Sequence, residues 1–225
     1  MEPVDFIYTN DAHREEDNIK EYIDSLEEGS VFYDLGANLG WFSLYASARG
    51  LKTYSFEIDR SNFSGLVGNV EHNSHLKDRI FIFNSGIADK KQTVVLRTRD
   101  QVIGEHHKTI DIPLYCGQEN IVSSNHITHV DVDSLDNLIE ENNLPYPDHL
   151  KVDIDGSEYS FLVGSPVVLS RAKSMVIELY TGNKFYEECI RILENNNFSL
   201  VKIYDIPGEP GLHNFVYSKD VEQEG

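Results

Sequence analysis

Apolar positions along this chain follow two alternating rhythms. Over residues 18–26 (NIKEYIDSL) they fall at 19, 22, 23 and 26, the spacing of one helix face. After a turn at Glu28-Gly29, Val31-Phe-Tyr-Asp-Leu35 is a short buried strand that runs into glycine. Residues 39–48 (LGWFSLYASA) are small and apolar and predict a buried helix, closed by Gly50. Thr53-Tyr-Ser-Phe-Glu57 is a second strand, 59–73 a second helix and Ile80-Phe-Ile-Phe-Asn84 a third strand. Such alternation with short connections predicts a parallel, doubly wound α/β sheet with right-handed crossovers.

From about 93 to 130 the rhythm changes. The stretches TVVLRTR and TIDIPLY alternate apolar with polar residues and predict a β-hairpin excursion or lid over the site. The α/β pattern then resumes. It gives a helix over 134–142 capped by Ser134, a strand Leu150-Lys-Val-Asp-Ile154, and a helix over 159–170 broken at Pro166. A strand over 174–179, a helix over 185–195, and a closing antiparallel pair over 198–204 and 214–218 complete it. With no repeat or low-complexity linker, the expectation is one domain over 1–225, with an N-terminal helical segment over 1–29.

Length and composition agree with this picture: 225 residues, 40% apolar and 11% aromatic, suffice for one globular α/β domain. The formal net charge of −19 argues against a nucleic-acid partner, which needs clustered Lys and Arg to neutralise phosphates. The sequence has no run of ~18 apolar residues for a membrane span. Its N-terminus has neither the basic start nor the apolar stretch of a secretory signal, so a cytoplasmic location is expected. The two cysteines, Cys116 and Cys189, lack metal-ligand spacing and read as reduced thiols.

In an open parallel sheet, ligands bind at the carboxyl ends of the strands near the switch point. The loop Asp34-Leu-Gly36-Ala37-Asn38-Leu-Gly40 follows the first strand, and its glycines are expected to let the backbone approach a cofactor. A helix starting near Asn38 would aim its free N–H groups there. Glu57 ends the second strand, about 20 residues after Gly36, where an acid can accept from both ribose hydroxyls. Ile58 is expected against the adenine and Asn84 at its edge. A dinucleotide fingerprint would read G-x-G-x-x-G; here the middle and last glycines are absent, and Asp34 suits a cation better than a pyrophosphate.

Three segments resemble the FkbM family of S-adenosylmethionine-dependent methyltransferases: VFYDLGANLGWFSLYAS, YSFEID, and the block VDVDSLDNLIEEN…PDHLKVDIDGSEYSFLVGS…VIEL. The resemblance runs from about residue 30 to 180. It implies a Rossmann-like, class I methyltransferase fold with a mostly parallel seven-stranded sheet and helices on both faces. It also implies S-adenosyl-L-methionine as cofactor and O-methylation of a hydroxyl on a sugar, glycan or small metabolite. By position, Asp34, Gly36, Asn38 and Gly40 match the family's cofactor loop and Glu57 its ribose acid. Asp153, Gly156 and Glu158 match its Lys-x-Asp-x-x-Gly-x-Glu segment, in which Asp155 stands where the family commonly has Glu.

An alcohol acceptor must lose a proton, so a base or a metal is expected. Alternation along 150–154 sends Lys151, Asp153 and Asp155 to one face, with Asp153 near the methionine ammonium or the acceptor hydroxyl. Asp155 and Glu158 are expected further out, towards acceptor; a helix-capping acid is the plainer role for Glu158. Glu178, inside an apolar strand, calls for a partner such as Lys151. Asp153, Asp155 and Glu178 also offer hard oxygen ligands to magnesium or calcium. His126 and His129 just before a strand, His106-His107 in the lid, and His213 are further candidate bases. Trp41, Tyr45, Tyr159 and Tyr180 offer stacking surfaces for a sugar, or simply core. A nicotinamide-dependent oxidoreductase or epimerase, and a non-catalytic cofactor-binding domain, are the alternatives; the first lacks its middle glycine and a Tyr-x-x-x-Lys pair.

Overall fold

The computed structural model describes residues 2–9, 17–98, 103–104, 108–115 and 126–219. In chain order the first half runs α1 (Asp17–Asp24), β1 (Val31–Leu35), α2 (Trp41–Ala48), β2 (Lys52–Phe56), α3 (Arg60–His72), β3 (Ile80–Phe83) and β4 (Gly86–Ile87). The insertion supplies β5 (Gln92–Thr98), β6 (Lys108–Ile110) and β7 (His126–Asp133). The second half runs α4 (Leu135–Asn142), β8 (His149–Val152), α5 (Glu158–Gly164), α6 (Pro166–Arg171), β9 (Ser174–Tyr180), α7 (Tyr186–Asn195), β10 (Ser199–Asp205) and β11 (Leu212–Ser218).

Seven strands form the main sheet in the order β10-β11-β9-β8-β1-β2-β3, and only β11 runs against its neighbours. The strand order reverses between β1 and β8, so their carboxyl ends open the switch-point crevice. Side-chain alternation and register divide the sheet into two unlike faces. One face presents Tyr33, Leu35, Tyr54, Phe56, Leu150, Val152, Met175, Ile177, Leu179, Phe215 and Tyr217, all buried in the largest apolar cluster under α4–α7. The other carries Phe32 and Val176 against α1 and α2, and beside them buried polar groups: Thr53, Ser55, Asp34 and Lys151.

Element ends differ from the sequence expectation where the backbone turns left-handed. The helix expected from residue 39 starts at Trp41, because Asn38 (φ 50) and Gly40 (φ 83) hold the loop out of the helical region. The strand expected to reach Ile154 ends at Val152, just before Asp155 (φ 50) and Gly156 (φ 95) reverse the chain. Ser134 caps α4, accepting from Asn137 N at 3.3 Å. Pro166 sits in the first turn of α6, where its missing N–H costs no helical bond.

The insertion is more than a hairpin. β5 pairs antiparallel with β6 and β7, and β7 pairs in parallel with β4, giving a second sheet β4-β7-β5-β6. Its alternating pattern sends Val94 and Leu96 inward onto Ile110, Ile112, Val132 and Ala88. His126 and His129 lie within β7 rather than before it.

Candidate active site

The loop after β1 is fastened on both sides. Gly36 N and Ala37 N donate to Phe56 O (3.0 and 2.9 Å), and Gly40 N to Ala37 O (2.7 Å). A Cβ at Gly36 would lie 1.7 Å from Asp153 O, and one at Gly40 2.3 Å from Leu66 Cδ1. Both glycines adopt positive φ, and protein atoms already fill the space that a side chain at either position would take. Asn38 N points inward to Glu57 Oε2 (2.8 Å) rather than heading a helix.

Beneath the loop, Asp34 is fully buried on the polar face. Its Oδ2 accepts from Ser43 Oγ (2.6 Å), which in turn accepts from Ser55 Oγ (2.8 Å). The cation at Asp34 is the chain's own: Lys151 Nζ lies 3.3 Å from Asp34 Oδ1 and 3.2 Å from Asp153 Oδ2, and donates to Gly36 O. Lys151 thus ties the loop after β1 to the loop after β8. Glu178 is half-buried on the same face, with register partner Asn214.

The loop after β8 departs from the alternation expected for it. Lys151 and Asp153 meet, whereas the left-handed turn at Asp155 ends the strand periodicity. Glu158 is buried instead of reaching outward, and its Oε1 accepts from Ile154 N (3.2 Å) and Gly156 N (3.1 Å), closing its own loop. Residue 155 is exposed overall at the loop tip. Its carboxyl is nonetheless crowded by protein, and this desolvation, with Asp153, Glu57 and Glu158, raises its pKa well above the usual carboxylate range against the pull of Lys108.

At the end of β2, Glu57 is buried and its carboxylate is heavily engaged. Oε1 accepts from Asp59 N (2.7 Å) and Lys108 Nζ (2.8 Å), Oε2 from Asn38 N. Burial pulls the Lys108 pKa down, but the attraction of Glu57, Asp155 and Asp59 outweighs it and holds the ammonium above its ordinary value. Asn84 Nδ2 donates to Glu57 O (2.8 Å) and Ile58 O (3.2 Å), locking the end of β3 to that of β2. Ile58 packs against the insertion's apolar cluster, at the root of the second sheet.

Lys108 was not singled out by sequence reasoning. Its signal was faint: a lysine opening a short alternating strand, whose ammonium would need a carboxylate if buried. Other candidates stand apart from this cluster. His213 Nδ1 contacts Asp205 (2.9 Å), Trp41 stacks on Phe6, Tyr45 donates to Asp24 and Tyr159 stacks on Phe185. His106, His107 and Cys116 lie outside the described residues. Cys189 is a free, buried thiol. Among the described residues, no group of three or more His, Cys, Asp or Glu is arranged to hold a metal ion, and no helix is long and apolar enough to cross a membrane.

Comparison with known proteins bears on this arrangement. The family described as Methyltransferase FkbM domain matches residues 34–200. The hexuronic acid methyltransferase AglP of Haloferax volcanii is 22% identical over 172 residues, covering 76% of this chain and 65% of AglP. The methyltransferase FkbM from Methylobacillus flagellatus superposes with a TM-score of 0.58 at 17% identity, over 86% of this chain and 45% of that one. A precorrin-6y C5,15-methyltransferase from Geobacter metallireducens gives a TM-score of 0.53 at 11% identity, over 95% and 94% of the two chains. The seven-stranded sheet is therefore that of the class I methyltransferases, and the family match does not favour the nicotinamide alternative.

Proposed function

This chain belongs to the FkbM methyltransferase family, and from that premise we propose that it moves a methyl group from S-adenosylmethionine to a hydroxyl of a sugar, glycan or similar metabolite. One observation carries the cofactor reading. At the switch point of the sheet, a buried carboxylate at the end of β2 and a half-open one at the end of β8 flank the same loop. The donor set suits a nucleoside with a cationic amino-acid tail. Glu57 offers acceptors to a ribose, and Asp153, whose side chain is 32% exposed, offers one to an ammonium. Close by, Ser157 Oγ is buried with no hydrogen-bond partner among the described residues.

The cofactor, when bound, supplies an activated methyl and a neutral leaving group. What remains to the protein is placement and removal of one proton. In this reading Lys151 holds Asp34 and Asp153 together, so that the two loops present one rigid rim. Glu158 positions the loop carrying Asp155. Asp155 is the group suited to take the acceptor's proton, because its raised affinity for protons makes it a stronger base than an ordinary carboxylate. An acceptor hydroxyl would have to give up one proton, and Asp155 would take it up. A magnesium or calcium ion on Asp153, Asp155 and Glu178 has no supporting geometry among the described residues.

A sugar acceptor is supported by what AglP is named for. The test is calorimetric binding of S-adenosylmethionine against NADH, then mass spectrometry of a panel of uronic and neutral sugars for the gain of one CH₂. Binding of NADH, or of neither, overturns the cofactor reading. Methylation confined to acceptors without a sugar overturns the substrate reading.

A further inference from the structure

We propose that Lys108 is a latch on the nucleoside subsite: its ammonium competes with the cofactor's ribose for Glu57, so Lys108 governs cofactor entry and exchange. The inference rests on the S-adenosylmethionine reading and adds to it a gating residue from outside the α/β frame.

The acceptor positions of Glu57 set the competition. A carboxylate offers about four acceptor sites, two on each oxygen. On Oε1 both are taken, by Asp59 N and Lys108 Nζ, and on Oε2 one is taken by Asn38 N. A ribose diol held by both oxygens needs one site on each, so one donor on Oε1 must leave. Asp59 N is backbone, fixed beside the α3 cap where Asp59 Oδ1 accepts from Ser61 N and Asn62 N. Lys108 ends a flexible four-carbon stem, so it is the donor that yields.

The insertion lies where such a latch must. Gly104 N donates to Asn62 Oδ1 (2.8 Å, buried), and a Cβ on Gly65 would come within 2.9 Å of Ile103 Cγ2. These contacts seat Ile103 and Gly104 of the insertion on the first turns of α3. Lys108 and Glu57 shield each other, with side chains 5% and 2% exposed.

Charge gives the latch a direction. Lys108 is the cation facing Glu57, Asp155 and Asp59. S-adenosylmethionine, with a sulfonium, an ammonium and a carboxylate, carries one net positive charge and replaces one cation by another. Its demethylated product is a neutral thioether and does not. Loss of the methyl therefore favours return of Lys108 to Glu57 and release of the product.

Trp41 is the sole tryptophan and follows Gly40 directly, so stopped-flow fluorescence reports on the loop. Lys108→Gln is expected to raise the association rate of S-adenosylmethionine about tenfold, and to tighten S-adenosylmethionine and its demethylated product alike because both must displace Lys108, whereas Lys108→Arg keeps association slow. In the wild-type protein, acetic anhydride labelling of Lys108 is expected to rise when S-adenosylmethionine saturates the site. Slower or weaker binding by a folded Lys108→Gln variant, or unchanged binding, overturns the latch and leaves the cofactor reading standing. If that variant does not fold, the wild-type labelling decides, and unchanged or lower labelling overturns the latch. Failure of the wild type to bind S-adenosylmethionine overturns the cofactor reading and the latch with it.

Discussion

Two buried lysine–carboxylate pairs flank the loop after β1, and they are built in different ways. Lys151 and Asp34 stand on adjacent parallel strands in direct register, inside the main sheet. Lys108 and Glu57 join the main sheet to the insertion across 51 residues of sequence. The first pair is held by a strand on each side. The second depends on how the insertion docks on α3. Their acids differ too: Asp34 has one hydroxyl donor besides its lysine, whereas Glu57 keeps two backbone N–H donors whatever Lys108 does. The sheet-built pair is thus a structural brace and the insertion-built pair is free to open.

The largest effect expected of this difference is on Lys151→Met. Removing one partner of a buried pair leaves an uncompensated charge, a loss of about 3–5 kcal/mol. Here the loss also unties Asp153 and Gly36 O. Chemical denaturation monitored by circular dichroism measures it. A loss below about 1 kcal/mol would show that Ser43 alone satisfies Asp34 and that Lys151 is not a brace.

Lys108→Met is expected to cost less, about 1–3 kcal/mol, because Glu57 retains Asn38 N and Asp59 N. The same denaturation series tests the ranking. If Lys108→Met destabilises as much as Lys151→Met, the two pairs are equivalent braces and the contrast between them fails. Asn62→Ala sharpens the point by removing another of the insertion's tethers, the acceptor for Gly104 N, at about 1 kcal/mol. Association of S-adenosylmethionine with that variant is expected to be faster than wild type; unchanged kinetics would separate the Asn62 tether from the latch.

The contrast also explains what the sequence made legible. Strand alternation placed Lys151 and Asp153 on one face, and the strand–helix rhythm placed Asp34 at the end of the first strand, but sequence reasoning assigns Asp34 to a cofactor cation and Lys151 to Glu178, so the parts of the brace were legible and their pairing was not. The element order, the break at Pro166 and the closing antiparallel pair were legible for the same reason: each is written in local periodicity or a local breaker. The left-handed turns were harder. Asn38 and Asp155 adopt positive φ without being glycine, and shortening the strand at Val152 undid the alternation that would have aligned Asp155 with Asp153. The roles of Gly36 and Gly40 were also hidden, since Asp153 O and Leu66 approach them from distant parts of the chain. Lys108 was hidden most deeply, because its partner is chosen by how one sheet docks on another, which no local pattern encodes.

The smallest effect expected is a pH dependence at Asp155, in the loop after β8, which feels Lys108 of the insertion. Crowding by protein raises the folded pKa of Asp155 well above the ordinary carboxylate value of 3.8. An acid raised in this way favours the folded state only while protonated. Its contribution is fully present below 3.8 and is lost as pH rises through the higher folded pKa. Lys108 pulls that pKa back down, so removing Lys108 moves the loss to higher pH and enlarges it. The stability difference between wild type and Asp155→Asn should therefore turn against the wild type as pH rises above 3.8, and do so more strongly in a Lys108→Gln background. Because residue 155 is exposed at its loop tip, water softens the effect, and it ranks below the losses above. Thermal melts at a series of pH values on the four proteins of this cycle measure it. Identical pH profiles with and without Lys108 would show that Lys108 serves Glu57 only and does not act on Asp155.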